Sequence, residues 1–312
     1  MKKVAFLFDG QGAFRPGVGK QLCSMHGQAK EIIEKGSRIL GYDLVPHLWG
    51  DEAGDTVNRT SIAQPAISLV SLAYARVLKE LGILGDISLG HSLGEVTALV
   101  YCETVSFEDG VRIIQKRGEV MEKAGGMGAM MAIINLDQEK LAKICDEVSK
   151  QISEPVVIAN INGPNQIVIS GSKQGLKKVA QIVAQHHARA IPLKVGGAWH
   201  SPYLNDASKE FAQFLDTITF KTPVHKFYSI TEQQVLTEPD SIKSALKKQM
   251  LAQVNWVQAI ENLKGLGYQV FVEVGPSKIL KDLTARIDPQ LKLASTALYT
   301  DPKELKSYLD TL

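Results

Sequence analysis

Six residues, Gly90-His91-Ser92-Leu93-Gly94-Glu95, constrain this chain more than any other stretch. An apolar run, Ile87 to Leu89, precedes them, and Leu93 to Tyr101 carries apolar residues at helical spacing. A G-x-S-x-G pattern between a strand and a helix specifies a sharp turn with the serine at its apex. Gly90 and Gly94 keep Cβ atoms out of the tightly folded backbone, while Ser92 accepts strain and projects its hydroxyl outward. The N–H of Leu93 heads the following helix and faces any oxyanion that forms on an acyl group carried by Ser92.

Val4 to Phe8 is a near-continuous β-prone run ending in Asp9-Gly10-Gln11-Gly12. That places a glycine-rich loop at the carboxyl end of a buried strand, where α/β sheets bind ligands. Helical patterns follow around 17–40 and 64–81, then the strand and helix that flank Ser92, then a helix from about Phe107 to Lys123. This is alternating α/β order. From Gly128 to about Val195 the texture becomes β-α-β-β-α-β, with strands near 129–134, 156–161, 166–171 and 189–194. That is the order of a split-βαβ, ferredoxin-like unit. Its helices, near 137–150 and 173–186, have lysine-rich faces that read as solvated surface. Beyond it come a loop with His200, a long helix from Pro202, and a strand at Val270 to Val274 ending in Gly275-Pro276-Ser277. The expected fold is therefore α/β: an α/β-hydrolase-like large subdomain (1–127 and 196–312) with an inserted ferredoxin-like small subdomain (128–195). The joints fall at Gly125-Gly126 and Gly196-Gly197.

The 312 residues are 45% hydrophobic, enough for a sizeable core, and the 35 basic and 33 acidic residues are scattered to a net charge of +2. Nothing in that distribution marks a nucleic-acid stripe or a polybasic membrane tether. Cys23, Cys102 and Cys145 are odd in number and widely spaced, which fits reduced thiols and offers no metal-ligand spacing. Asp9 interrupts the first apolar run too early for a signal peptide. No apolar stretch reads as approaching the roughly 20 residues that cross a bilayer. A soluble, cytoplasmic, monomeric protein without metal or cofactor is expected.

A serine hydroxyl needs a base, and the chain has seven histidines. His91 adjoins Ser92 and is expected to point the other way, because neighbouring side chains on a strand alternate. His186 and His187 lie at a helix end, and His26, His47 and His225 have no accompanying pattern. His200 sits in the tight sequence Gly196-Gly197-Ala198-Trp199-His200-Ser201-Pro202 and is the best candidate base, since loops on a rigid scaffold carry catalytic residues. No loop carboxylate before it stands out. A carbonyl or amide would suffice to fix its tautomer.

A set of motifs spans nearly the whole chain in a fixed order. Gly10-Gln11-Gly12 and Gln64-Pro65-Ala66 come first, then Gly90 to Glu95 and Arg117-Gly118 with Met121. Asn160-x-Asn162 leads to Val168-Ile169-Ser170-Gly171, followed by Ala198-x-His200-Ser201, Gln249 with Trp256, and Glu273-Val274-Gly275-Pro276. In this the chain resembles the malonyl-CoA:acyl carrier protein transacylases, including the stand-alone acyltransferases that serve polyketide synthases in trans. The resemblance implies that Ser92 is acylated, that His200 is its base, and that the N–H groups of Gln11 and Leu93 form the oxyanion hole. It implies that Arg117 binds the free carboxylate of a malonyl group, a task suited to a planar bidentate guanidinium; on its own, Arg117 reads as a surface arginine on a helix. Gln249 would orient His200, Gln64 would support the pocket, and Asn160 and Asn162 would line the pocket or tie the small subdomain together. The implied partners are malonyl-CoA or a related thioester and a carrier protein with a phosphopantetheine arm, in fatty-acid or polyketide assembly.

Four positions depart from the family pattern: Asp9 replaces proline, Ala13-Phe14 replaces serine-glutamine, and Trp199 replaces phenylalanine or serine. Trp199 either selects the acyl group's α-substituent, with unsubstituted malonyl or a polar α-substituted unit on a carrier as candidates, or simply fills space. Other function classes are a hydrolase that strips stalled acyl groups from carriers and a non-catalytic carrier-binding module. Arg117 argues against the first, and retention of Ser92, His200 and Arg117 against the second.

Overall fold

The computed structural model describes residues 3–56 and 59–311. Strand β1 (Val4–Phe8) has four of its five residues fully buried, as a run with apolar side chains on both faces must. A 3-10 turn, Gln11–Ala13, follows, then helices α1 (Lys20–Met25), α2 (Gly27–Leu40), α3 (Val45–Trp49) and α4 (Ala53–Thr56). Helix α5 (Thr60–Glu80) is apolar nearly all round and runs through the core. By length and hydropathy it could cross a membrane, which corrects the reading that no stretch is long enough, but 83% of its apolar window is buried inside the protein. Strand β2 (Ile87–Gly90) leads into helices α6 (Leu93–Tyr101) and α7 (Phe107–Lys123), the latter capped by the Ser106 hydroxyl, which accepts from the Asp109 N–H at 3.0 Å.

The middle of the chain forms β3 (Ala129–Ile134), α8 (Gln138–Ile152), β4 (Val156–Gly163), β5 (Gln166–Gly171), α9 (Lys173–Ala184) and β6 (Arg189–Pro192). The long helix expected from Pro202 is a 3-10 turn, Pro202–Leu204, continued by α10 (Asn205–Asp216). Then come β7 (Lys226–Ser229), β8 (Gln234–Leu236), α11 (Pro239–Lys248), β9 (Val254–Asn255), α12 (Trp256–Gly265), β10 (Val270–Val274), α13 (Ile279–Ile287), β11 (Lys292–Ser295) and α14 (Pro302–Thr311).

The strands make two sheets. The larger has order β11-β10-β1-β2-β7-β8 and is parallel except for the β7-β8 hairpin. The carboxyl ends of β1 and β2 therefore lie side by side, which brings the Gly10-Gln11 loop next to Ser92. The smaller has order β6-β3-β5-β4-β9, and its first four strands pair antiparallel in the split-βαβ arrangement. Alternation along β3 divides its side chains between two cores: Ile133 packs with α8 and α9, whereas Met130 and Ala132 face the large core. The two chain crossings meet where the Gly126 N–H donates to the Gly196 carbonyl at 2.8 Å. Strand β9, from far outside 128–195, joins this sheet parallel to Asn160-Ile161, a pairing too short to leave a periodic signal in the sequence.

Candidate active site

Ser92 sits between β2 and α6 at φ 53°, in the positive region that non-glycine residues seldom occupy. The turn closes so tightly that a Cβ on Gly90 would overlap the Gly94 carbonyl, and one on Gly94 would overlap the Phe8 carbonyl oxygen. The strain expected from the sequence is present, and it is locked by the packing of β1 against the turn. His200 also lies at positive φ, 55°, in a buried loop that the Ser201 hydroxyl closes by donating to the Ala198 carbonyl at 2.6 Å.

The two side chains meet, with Ser92 Oγ 2.7 Å from His200 Nε2. On the far side of the ring, Nδ1 lies 2.9 Å from the carbonyl oxygen of Ala252. A carbonyl only accepts, so Nδ1 carries the proton and Nε2 is free to accept from the serine. The Ala252 carbonyl is the orienting group, and the Gln249 main-chain carbonyl also faces the ring, as expected of that residue, whereas the Gln249 side chain turns to Arg117 and the Ser92 carbonyl. The reason lies in the chain path: Gln249 closes α11 facing the Ser92 turn, and three residues later the backbone passes under the histidine on its way into β9. Gln253 anchors that passage by donating to the Ile158 carbonyl at 3.1 Å. A backbone acceptor has no side-chain signature, so sequence reasoning could not find it.

Arg117 corrects its stand-alone reading as a surface residue, since only 1% of it is exposed. Helix α7 approaches α5 so closely at Gly118 that a Cβ there would lie 2.9 Å from Ser61 Cα. This contact carries the guanidinium into the core. Its Nε donates to Gln249 Oε1 at 3.1 Å, Nη1 to Gln64 Oε1 at 2.9 Å, and Nη2 to Ser92 Oγ at 3.0 Å. Gln64 also donates to Gln11 Oε1 at 3.4 Å, linking the guanidinium to the β1 loop. Burial lowers the Arg117 pKa to about 10, with Glu95 pulling the other way, so the side chain stays charged at neutral pH. Burial first, and then the Arg117 charge, depress His200 to about 3, so the imidazole is neutral and able to accept a proton.

The N–H groups of Gln11 and Leu93 each head a helical turn and have no intrahelical acceptor. Gln11, Ser92, Asn160, Asn162, Trp199 and His200 all line one cavity of about 400 Å³ between the two sheets. His91 lines it too, and its Nε2 lies 2.9 Å from Asn162 Oδ1, so it does not point away as expected. The backbone at Ser92 leaves the extended conformation, and with it the alternation on which that expectation rested. Phe14 is buried against the cavity, and the indole N–H of Trp199 is buried with no hydrogen-bond partner. Asp9 is buried beside Glu273, and the hydroxyl of Ser277 lies 2.7 Å from the one and 2.6 Å from the other. Burial and the Glu273 carboxylate raise its pKa well above the ordinary value. Among the described residues no cluster of His, Cys, Asp or Glu could hold a metal ion.

A strained serine at a strand-to-helix turn, a neutral histidine in contact with it and a buried cation beside it define a serine-dependent acyl enzyme on an α/β fold. Residues 5–290 match the acyl transferase domain family. The chain is 36% identical over 315 residues to the malonyl CoA-acyl carrier protein transacylase of Bacillus subtilis, covering 100% of this chain and 98% of that one. Its structure is similar to the acyl carrier protein S-malonyltransferase of Vibrio cholerae, with a TM-score of 0.92, 32% identity and coverage of 98% and 100%. It is equally similar, at a TM-score of 0.92, 30% identity and full coverage of both chains, to a malonyl-transacylase solved in complex with its type II PKS acyl-carrier protein. The chain belongs to the malonyl-CoA:acyl carrier protein transacylase family.

Proposed function

We propose that this protein moves a malonyl group from malonyl-CoA, through an ester on Ser92, to the phosphopantetheine thiol of an acyl carrier protein. The observation that carries the substrate class is the buried Arg117 guanidinium, whose Nη2 lies 3.0 Å from the nucleophile. A fixed cation at that distance suits an acyl group with a carboxylate at its far end. An acetyl group brings no carboxylate to it, so the buried cation favours the dicarboxylate through a charge-assisted pair that acetyl cannot make.

In the acylation half-reaction, His200 Nε2 takes the proton as Ser92 Oγ attacks the thioester carbonyl. The Gln11 and Leu93 N–H groups hold the resulting oxyanion, and His200 returns the proton to the departing thiol of coenzyme A. The carrier thiol then enters the cavity, gives its proton to His200 and attacks the ester carbonyl; the bond between Ser92 Oγ and the acyl carbon breaks and His200 returns the proton to Oγ. Arg117 holds the acyl carboxylate through both halves, keeping the ester oriented toward the thiol. Exposed Arg15 and Lys194 flank the cavity mouth and suit the phosphates of coenzyme A and an acidic carrier. The inserted unit at 128–195 would form one wall of the cleft, and the cytoplasm, where carrier and coenzyme A are both present, is the proposed site of action. Incubation with malonyl-CoA and a phosphopantetheinylated carrier protein, followed by mass spectrometry of the carrier, should show the malonyl adduct. Free malonate with unmodified carrier would instead mean a hydrolase.

A further inference from the structure

Glu95 follows the nucleophile by three residues, is buried, and takes no part in the steps above. Its Oε1 accepts from the Ser229 hydroxyl at 2.8 Å and from the N–H groups of Ile230 and Thr231 at 2.9 and 3.4 Å. Its Oε2 accepts from the Thr231 hydroxyl at 3.1 Å and from Gln249 Nε2 at 2.9 Å. Burial raises the Glu95 pKa, and these donors work against it, because backbone and amide N–H groups only donate and so favour the carboxylate form. Gln249 Nε2 also donates to the Ser92 carbonyl at 2.7 Å, which commits both of its hydrogens. The amide can then face only one way, with Oε1 toward Arg117 Nε.

We propose that Glu95 is a positioning residue for the carboxylate-binding guanidinium, acting through Gln249. Glu95 fixes which way the Gln249 amide faces, the amide oxygen fixes the plane of the guanidinium, and the guanidinium presents Nη2 beside Ser92. Glu95 also supplies the negative charge that a buried cation requires nearby, and its charge favours the protonated form of Arg117. Selection of a dicarboxylic acyl group is therefore built partly into the nucleophile motif itself. The inference rests on the malonyl-transfer function proposed above.

The test compares three acylating probes on wild type, Glu95→Gln, Gln249→Leu and the double variant. Malonyl-CoA needs the guanidinium; acetyl-CoA and a fluorophosphonate ester need Ser92, His200 and the oxyanion hole but no grip on a carboxylate. The expected result is a malonyl-to-acetyl loading ratio about tenfold lower or more in each single variant, expressed chiefly as a higher KM for malonyl-CoA, over and above any slowing common to all three probes that follows from loosening the Ser92 turn. The double variant should be no worse than the worse single one, because both changes disable one device. Parallel loss of all three probes would overturn the inference and make Glu95 only a tie between α6 and the 229–231 turn. Intact malonyl preference in both single variants would overturn it as well. If Glu95→Gln does not fold, Gln249→Leu at the end of α11 carries the same comparison. A wild type that loads acetyl as fast as malonyl would overturn the functional reading and the inference together.

Discussion

Arg117 Nη2 donates to Ser92 Oγ at 3.0 Å, so the cation that suits the acyl carboxylate also touches the nucleophile before any substrate arrives. With His200 Nε2 at 2.7 Å from the same oxygen, the hydroxyl is held between a base and a positive charge. The arrangement lowers the cost of negative charge on Oγ. It also depresses the basicity of His200, and both effects change when a carboxylate pairs with the guanidinium.

Removing the guanidinium should therefore separate binding from chemistry. In Arg117→Ala, loading from malonyl-CoA should fall about 30-fold or more, as expected for losing one partner of a buried charge-assisted pair. Loading from acetyl-CoA should fall much less, so the malonyl-to-acetyl ratio collapses. Rapid-quench measurement of both acyl-enzymes checks this.

The pH dependence has a definite sign. His200 must be neutral to act as base, and its pKa lies at about 3 instead of 6.5. Inactivation of the free enzyme by a fluorophosphonate, which brings no carboxylate, should keep its rate well below pH 6.5 and lose it only on further acidification. In Arg117→Ala the acid limb should move upward, because a charge that disfavours the imidazolium is gone. An acid limb at the ordinary histidine value in wild type would contradict this.

Most of the frame was readable from the residues. The Ser92 turn, β1, β10 and the split-βαβ unit follow from local periodicity and glycine placement, which act within a few residues. What escaped depends on contacts between distant segments. Burial of Arg117 requires Gly118 to meet Ser61, and the partner of His200 is a main-chain carbonyl set in place by the pairing of β9 with β4. Glu95 stood inside the motif, and a carboxylate in an otherwise apolar helix was a signal, but its partners at 229–231 and 249 lie more than 130 residues away.

Asp9 shares the Ser277 hydroxyl with Glu273 in a buried setting, and that single hydroxyl hydrogen cannot serve both carboxylates. A carboxyl with a raised folded pKa binds its proton more tightly when folded. Its contribution to stability is full below the ordinary value of 3.8 and is lost as pH climbs through the folded value. Thermal unfolding followed across pH should show wild type losing stability as pH rises from that range, and Asp9→Asn should flatten the trend. Identical slopes would show that the pair carries no such proton.

Trp199 brings an unpartnered indole N–H to a cavity that also holds Ser92. Competition among malonyl, methylmalonyl and polar α-substituted donors, read as relative loading, should shift in Trp199→Phe toward donors without a polar α-substituent. Unchanged ratios would leave the indole as a space-filler beside the acyl group.

The most direct test of the acyl-serine account is intact-protein mass spectrometry after brief exposure to malonyl-CoA. Wild type should gain a single malonyl adduct that disappears when a carrier thiol is added, and Ser92→Ala should gain none. An adduct that persists in Ser92→Ala, or a wild type that never acquires one, would contradict the account.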